Sequence, residues 1–340
     1  MSNQRSRVRR FFLFVTIAVA LAVLVGAVLT GYWYFGPYRG FRTEAFVDIE
    51  HGMSSREIAR ELAHRGIVRS SWAFAAIRAL HPRATLQAGE YRFGSAQTPS
   101  QVFDKIRRGE IFYQDFTVPE GSNIFDIASL LEQSGMVGSN EFLKAAANPQ
   151  SIRDLDPVAP TLEGYLFPST YRLTHQTTGK QLCGTMTREF RKQWGLLAGQ
   201  SMAVETHKVV TLASLIEKET GLPQERPLVA AVFTNRLRLS MPLQCDPTTV
   251  YAALLDKRYR GVIHKSDLSS KNSYNTYTHE GLPPGPIANP GIASLKAALH
   301  PAQAEYLYFV AKADGSGSHQ FSAQLMEHEK AVLAYRKNAH

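Results

Sequence analysis

The chain has 340 residues and a formal net charge of +9 at pH 7. Its length exceeds one typical domain, so we expect a catalytic-sized unit with a buried core and a smaller unit beside it. Arg5, Arg7, Arg9 and Arg10 supply four of the charges, and 9 minus 4 leaves +5 for the rest of the chain. This remainder gives little support to a nucleic-acid partner, and we predict none. It is ordinary for a protein that works beside anionic lipid or polymer.

Residues 11–35 form an uncharged apolar segment that is long enough to cross a bilayer as one helix. The segment ends in residues typical of a membrane–water interface, namely Tyr32, Trp33, Tyr34 and Phe35. Basic residues precede the segment and no basic cluster follows it, so we predict that residues 1–10 are cytoplasmic. The remainder then lies outside an inner membrane, most simply in a bacterial periplasm. A cleaved signal peptide is the alternative, but the apolar run is long and lacks a small-x-small exit.

Cys183 and Cys245 are the only cysteines in the sequence. Two cysteines in a chain of this length do not form a disulfide scaffold. A single bridge between them stays open as an alternative in an oxidising compartment, because the sequence does not fix the distance between them.

A weak internal repeat relates residues 46–68 to residues 116–137 at a constant offset of 69 positions. Gly52 matches Gly121, and further matches join Ile58, Ala59, Leu62, Gly66 and Val68 to Ile127, Ala128, Leu131, Gly135 and Val137. Each copy predicts a short strand, a Gly-Ser turn that can cap a helix, and an amphipathic helix that ends at glycine.

Residues 86–109, between the two copies, predict another strand and another short helix. We therefore assign residues 40–150 to one region of small modules, which either bind a ligand or only space the rest from the membrane. After Pro157 the pattern changes, and we assign residues 157–340 to the catalytic domain. There, residues 162–173 are aromatic and strand-like, and an amphipathic helix is predicted over 178–197.

The segment HKVVTLASLIEKETG, residues 207–221, predicts a helix whose buried stripe leads directly to Glu217. Ala213 and Ser214 lie one turn before Glu217, so small neighbours leave room over its carboxylate. Glu219 lies two residues further on and faces elsewhere, so the two carboxylates are not expected to share one cleft.

Gly221 and Pro223 are predicted to end this helix, which places Glu217 near the negative end of the helix dipole. A partly buried carboxylate there is disfavoured as an anion, which suits a general acid. The alternative is a solvated glutamate at an ordinary helix end.

Three further polar residues lie downstream of this helix. Asp246 precedes Pro247 and is predicted to cap the helix TTVYAALLDKRY. Gln244, in the loop before it, is free to bind a ligand. Glu225 is interpreted as a charge that favours the start of its own helix, with a helper carboxylate as the alternative.

The segment YNTYTHEGLPPGPIANPG, residues 274–291, combines aromatic and polar side chains on a loop stiffened by four prolines. Sugars need hydrogen bonds for their hydroxyls and a flat surface for their apolar face, so Tyr274, Asn275 and Tyr277 are candidates for sugar binding. A surface connection is the alternative. The sequence contains no GxSxG elbow, P-loop, HExxH motif or close Cys/His cluster, and we predict neither metal nor cofactor.

Four segments together resemble the endolytic murein transglycosylases, or YceG-like proteins. They are ASLIEKET, NRLRLSMPLQCDPTTVY, YNTYTHEGLPPGPIANPG and SLKAALHPAQAEYLYFV, and the resemblance covers about residues 40 to 336. Cys245 departs from it, because a threonine is expected at that position.

The resemblance implies an α+β fold, with a LysM-like module before the catalytic domain. It implies that Glu217 is the catalytic glutamate and that the substrate is the peptidoglycan glycan strand, cut between N-acetylmuramic acid and N-acetylglucosamine. A lytic transglycosylase manages with one carboxylate, because the C6 hydroxyl of the same sugar replaces water and leaves a 1,6-anhydro end.

Two other functions stay open at this point. A muramidase would hydrolyse the same bond but needs a second carboxylate, for which Asp246 and Glu225 are the candidates. A wall-binding scaffold with an inert catalytic domain would need no carboxylate beside small residues. Expected partners are the glycan strands, the inner membrane and peptidoglycan synthases or division proteins.

Overall fold

The computed structural model describes residues 2–199 and 205–338, and the side chains of residues 12–199 and 205–337. The four N-terminal arginines therefore have no described side chains, and the ends of our domain assignments, Met1 and His340, lie outside the described residues. Helix α1, Ser2–Phe35, contains an apolar stretch Phe12–Phe35 with a mean hydropathy of 2.9, none of which is buried. By length and composition it fits a single-pass membrane helix.

The chain divides into two compact units, residues 1–114 and residues 115–340. After α1, the first unit contains strand β1 (Ala45–Ile49), helices α2 (Ser55–His64) and α3 (Ser71–Leu80), strand β2 (Gly89–Phe93) and helix α4 (Pro99–Arg108). Strands β1 and β2 pair antiparallel, with Val47 opposite Tyr91. The helices bury a core of their own against this sheet, which includes Leu62, Phe74 and Phe103.

The second unit is mostly helical, with two-stranded sheets. Its elements are β3 (Gln114–Thr117, which begins at the unit boundary), α5 (Ile124–Ser134), α6 (Ser139–Ala146), a 3-10 helix (Pro149–Ile152), β4 (Thr170–Leu173), α7 (Gly179–Ala198), α8 (Thr206–Glu219), α9 (Arg226–Arg238), α10 (Asp246–Leu255), α11 (Lys265–Leu268), α12 (Ile292–Leu299), β5 (Tyr308–Ala311), β6 (His319–Ser322) and α13 (Leu325–Asn338). Strand β3 pairs with β4, and β5 with β6. Helices and small sheets together make an α+β fold, as predicted.

The internal repeat is confirmed as local structure. In both copies a strand leads through a glycine with positive φ, Gly52 or Gly121, into a capped amphipathic helix. The cap of the second helix is Asn123 rather than a serine, and its side chain accepts from the amides of Phe125 and Asp126.

The two copies nevertheless belong to different units. Strand β1 pairs with β2 in the first unit, whereas β3 pairs with β4, more than fifty residues further on. The compact units divide after residue 114, whereas our assignment from the sequence pattern changes domain near residue 150. Strand pairing decides the unit, and equal local patterns do not predict which partner a strand takes.

Helices α8, α9 and α12 pack against one another and form the scaffold of the candidate site. Ile216, Val229 and Leu295 are among the side chains buried between them. Helix α8 ends one residue earlier than predicted, because Thr220 takes an extended conformation. The Thr220 hydroxyl accepts from the amide of Leu222 and donates to Glu225, so this threonine, and not Gly221, makes the turn into α9.

Helix α7 confirms the prediction over 178–197, with the Thr178 side chain as its cap. Residues 162–173 are a strand only at their end, in β4. Cys183 on α7 and Cys245 before α10 are both buried free thiols and form no bridge. Burial raises the pKa of Cys183 to about 12, so its thiol is protonated at neutral pH.

Candidate active site

Glu217 lies in the last turn of α8, and its side chain is only 5% exposed. One carboxylate oxygen, Oε1, accepts from Arg226 Nη2 at 2.8 Å, and the other, Oε2, accepts from the backbone N–H of Gly291 at 2.9 Å. Gly291 is the residue before α12, so Glu217 occupies the start of that helix as an acceptor. The carboxylate is therefore held in one place by two donors from two other elements.

Small residues line the approach to Glu217. A Cβ atom on Gly121 would lie 3.4 Å from Cγ of Glu217, and Gly121 has a φ of +75°, which disfavours any larger residue. The carbonyl of Gly121 also accepts from Lys218 Nζ at 3.1 Å. The loop before α5 therefore packs directly on the end of α8.

Two charged groups beside Glu217 do not emerge from sequence patterns. Arg226, at the start of α9, has a guanidinium that is 8% exposed. Glu120 lies in the loop before α5. Its Oε2 is 3.9 Å from Nη2 of Arg226, and its side chain is 51% exposed. Burial and the charge of Glu217 raise the pKa of Glu120, while Arg226 lowers it.

Glu219 faces away from Glu217, as predicted, and is half-buried. Its carboxylate lies beside the thiol of Cys245. Burial raises the pKa of Glu219, and the bond from Cys245 partly offsets this. Glu219 therefore joins the end of α8 to the start of α10 and takes no part in the arrangement around Glu217.

A cleft of about 530 Å³ opens beside the end of α8. It is lined by Asn123, Asp126, Lys218, Asp246, Pro247, Val250, Tyr251, Leu254, Tyr259 and Ile287. Carboxylates, an amide, an ammonium group and two aromatic rings meet on its walls. Such a mixture can hydrogen-bond the hydroxyls of a sugar and contact its apolar face.

Asp246 lines this cleft but does not cap α10, which corrects our prediction. Cys245 is the cap residue, Asp246 is the first helical residue, and no side chain makes a cap hydrogen bond there. Asp246 instead accepts from the hydroxyl of Tyr277 at 2.5 Å. Burial and this bond to Asp246 raise the pKa of Tyr277.

Tyr274 packs against Tyr251 of the cleft wall, with ring centroids 5.1 Å apart. Gln244 is exposed and has a φ of +51°, and its backbone N–H donates to Thr276 at 3.2 Å. The tyrosine therefore backs the cleft, and the glutamine keeps its side chain at the surface.

Asn275 is fully buried, and its side chain serves the loop itself. Its amide nitrogen donates to the carbonyls of Asp267, Leu268 and Ser270, and its oxygen accepts from Thr249 and Tyr277. Its polar atoms are taken up by protein groups, so the structure does not support its assignment to substrate binding.

Glu225 holds the C-terminal hairpin and does not point at Glu217. Its oxygens accept from the backbone N–H and the ring Nδ1 of His319 at 2.8 and 2.7 Å. Burial opposes its charge, but these bonds lower the pKa of Glu225. It makes no cap bond to α9, so its preferred interpretation as a helix-start charge is only partly correct.

Glu163 is a buried carboxyl group that ties three segments of the site together. It accepts from the backbone N–H of Ile124 at 2.9 Å, from the hydroxyl of Tyr251 at 3.0 Å and from the amide of Asn289 at 2.9 Å. Burial raises the pKa of Glu163 to about 8, against the effect of these donors. Its partners belong to α5, α10 and the loop before Gly291, so Glu163 fixes the loop that holds Glu217.

No cluster of three or more His, Cys, Asp or Glu side chains that could hold a metal ion occurs within residues 12–199 and 205–337. Residues 47–334 match the YceG-like family over most of the chain. The chain belongs to the YceG-like family.

Relatives of this YceG-like chain carry a functional name. A protein of Bacillus subtilis named endolytic murein transglycosylase is 32% identical over 332 residues, which span 92% of this chain and 91% of the relative. A protein of the same name from Streptococcus pneumoniae is 26% identical, and the match spans 85% of this chain but 58% of that longer relative. The crystal structure of a YceG-like protein from Listeria monocytogenes shares 30% identity with a TM-score of 0.55 and covers 85% of this chain and 99% of its own.

Sequence reasoning about this YceG-like chain found Glu217 but missed Glu120, Glu163, Arg226 and Gly291. Glu163 stands in the strand-like segment EGYLF, where an acidic residue among aromatic ones was a usable signal. Arg226 and Gly291 begin helices and carry no pattern that points to Glu217. Only the packing of α8, α9 and α12 brings them together.

Proposed function

We propose that this chain is a membrane-anchored lytic transglycosylase of peptidoglycan. It cuts glycan strands internally, between N-acetylmuramic acid and N-acetylglucosamine, and leaves 1,6-anhydro ends. The single observation that supports this most is the place of Glu217, a buried carboxylate held at a helix end next to Lys218, which lines a polar and aromatic cleft. The names of the relatives from Bacillus and Streptococcus agree with it.

In the proposed reaction, Glu217 donates a proton to the glycosidic oxygen, and the bond from that oxygen to C1 of the muramic acid breaks. Glu217 then takes the proton from the C6 hydroxyl of the same sugar as its oxygen attacks C1. The hydroxyl is already attached to the reacting ring, so its effective concentration is high and no water has to be positioned. The side chains that line the cleft, together with Gln244, Tyr274 and Tyr277, hold the strand.

The test is the mass of the products formed in oxygen-18 water from bare glycan strands. A transglycosylase releases 1,6-anhydro ends that contain no label, because water does not enter the product. A hydrolase releases reducing ends that carry oxygen-18. Labelled reducing ends would therefore refute the proposed reaction while leaving the substrate unchanged.

A muramidase is the second candidate, and one observation favours it. Glu120 is a half-exposed carboxyl group near Glu217, so a second carboxylate is present, although it is neither Asp246 nor Glu225. Retaining glycosidases place their carboxyl groups about 5 Å apart and inverting ones roughly 6.5–9.5 Å apart. The oxygen-18 experiment separates this reaction from the cyclising one. No feature within residues 2–199 and 205–338 favours the inert scaffold.

We predict that the N-terminus is cytoplasmic and that residues 38–340 lie outside the inner membrane, in the periplasm. An alkaline phosphatase fused after His340 should be active, because this reporter folds only in an oxidising compartment. The same reporter fused after Arg10 should be inactive. An active fusion at Arg10, or a mature chain that begins near residue 35, would contradict the anchor.

We also propose that residues 38–114 form a LysM-like module that binds peptidoglycan. Support comes from a core of their own, built by β1, α2, α3, β2 and α4, whose members all lie within the first unit. The fragment 38–114 should sediment with insoluble peptidoglycan at low salt. A fragment that stays in the supernatant would leave this unit as a spacer. Synthases and division proteins are proposed partners, and pull-down with the full chain tests them.

A further inference from the structure

One nitrogen atom of Arg226 lies between two carboxyl groups. Nη2 is 2.8 Å from Oε1 of Glu217 and 3.9 Å from Oε2 of Glu120. The side chains of Arg226 and Glu217 are nearly closed off from solvent, at 8% and 5% exposure, whereas that of Glu120 is 51% exposed. A buried cation is therefore shared between one enclosed carboxylate and one that reaches water.

Glu120 reaches this position because residue 291 is a glycine. A Cβ atom on Gly291 would lie 2.0 Å from Oε1 of Glu120, which is too close for two atoms that are not bonded. Any other residue at position 291 would therefore displace the Glu120 carboxyl group. The same glycine donates its N–H to Glu217. Both carboxyl groups therefore meet at Gly291 as well as at Arg226.

Arg226 has a hydrogen-bond donor that is not satisfied. Its Nε is buried and has no hydrogen-bond partner among the described residues. A buried guanidinium gains free energy from further acceptors, so a second carboxylate within reach offers an alternative arrangement.

The proposed function creates a need for that alternative, and the inference rests on it. In this structure both oxygens of Glu217 accept hydrogen bonds, one of them from a cation. The proposed reaction needs Glu217 protonated. Protonation would leave Arg226 as a buried cation without a charged partner, which is costly.

We propose that Glu120 is a positioning residue, to which Arg226 transfers when Glu217 takes up a proton. The transfer exposes Oε1 of Glu217 to the glycosidic oxygen and keeps the guanidinium paired. When Glu217 has given up its proton, Arg226 returns. Burial and the charge of Glu217 raise the pKa of Glu120, while Arg226 lowers it, which agrees with two carboxyl groups coupled through one cation.

The charges that act on Glu120 are those of Glu217 and Arg226. Lys218 on α8 binds the carbonyl of Gly121, and the N–H of Gly291, the residue before α12, donates to Glu217. Glu219, on the same helix, faces Cys245 on the other side. Glu120 therefore interacts with both members of the buried pair, Glu217 and Arg226.

The experiment measures cleavage of glycan strands by the full chain in detergent, across pH, for the Glu120→Gln and Glu120→Asp variants. Activity requires protonated Glu217 and is lost as pH rises. Glu120→Gln removes a negative charge near Glu217, which makes protonation of Glu217 harder. The alkaline limb of the pH–activity profile, where activity falls as pH rises, should therefore move to lower pH. The rate at neutral pH should fall about tenfold or more. Glu120→Asp keeps the charge and should place the limb closer to that of the unchanged chain.

A matched control is Asp154→Asn, which removes an exposed carboxylate 2.8 Å from Arg191 in the same unit. It should change neither the rate nor the limb. An unchanged limb in Glu120→Gln, with or without a slower rate, would overturn the proposal, as would equal limbs in the Gln and Asp variants. If either of these results is found and Glu217→Gln is inactive, only the role of Glu120 is refuted. If Glu217→Gln is active, the proposed function itself fails.

Discussion

Glu217→Gln is expected to lose glycan cleavage by about 10²- to 10⁴-fold while the protein stays folded. Glutamine keeps the shape of the side chain and can still accept from Arg226 or from Gly291 through its oxygen, but it has no proton to transfer. The loss should appear in kcat more than in KM, because the strand still binds. Product release from purified glycan strands, measured by chromatography, checks the rate. Circular dichroism checks the fold.

The matched control is Glu219→Gln, the same substitution two residues away on the same helix. Glu219 bonds the thiol of Cys245 and does not contact the site, so this variant should keep most of its activity. Equal losses in both variants would mean that any change at the end of α8 disrupts the site. A fully active Glu217→Gln variant would remove Glu217 from the mechanism.

Glu163→Ala is expected to lower the free energy of unfolding of the second unit by about 3 to 5 kcal/mol. The change removes the acceptor shared by the N–H of Ile124, the hydroxyl of Tyr251 and the amide of Asn289. Each donor is buried, and an unpaired buried donor costs about 1 to 3 kcal/mol. Hydrogen exchange of amides in α5 and α10 measures the loss where it occurs. A variant as stable as the unchanged chain would show that water replaces the carboxylate fully.

Glu163→Gln serves as the control and adds a pH test. The pKa of Glu163 is raised from 4.5 to about 8 in the folded chain, so folding favours its protonated form. Its contribution to the free energy of unfolding is therefore largest below pH 4.5 and is lost as pH rises through about 8. Glutamine does not titrate, so the decline in stability between those values should be smaller in the variant. An identical decline in both would assign the pH dependence to other groups.

The sequence predicted the site best where one element carries the signal by itself. Helix α8 has a periodic apolar stripe, and the position of Glu217 beside it follows from helical geometry. The repeat predicted two capped helices for the same reason. The turn at Thr220 and the cap of α10 were predicted a residue off, because neighbouring polar residues compete for the same role at a helix end.

Arrangements that join distant segments could not be predicted in this way. Asn275 looked free in a polar loop, but the loop folds back on it and takes up its hydrogen bonds. Arg226 and Glu120 are ordinary surface residue types. The packing of α8 with α9 encloses Arg226 with Glu217, and the half-exposed Glu120 approaches the same guanidinium from the loop before α5. The compact units divide after residue 114, and the sequence pattern of β3 does not specify β4 as its partner strand.

The two buried thiols allow unfolding of the second unit to be measured by chemical labelling. Cys183 and Cys245 lie in its interior and are not bonded to each other, so the fold does not depend on enzymes that form disulfides. A reagent that alkylates thiols and does not cross membranes can reach them only when the unit opens. In the proposed topology, the rate of labelling on intact cells therefore reports how often this domain unfolds in the periplasm, without any engineered cysteine.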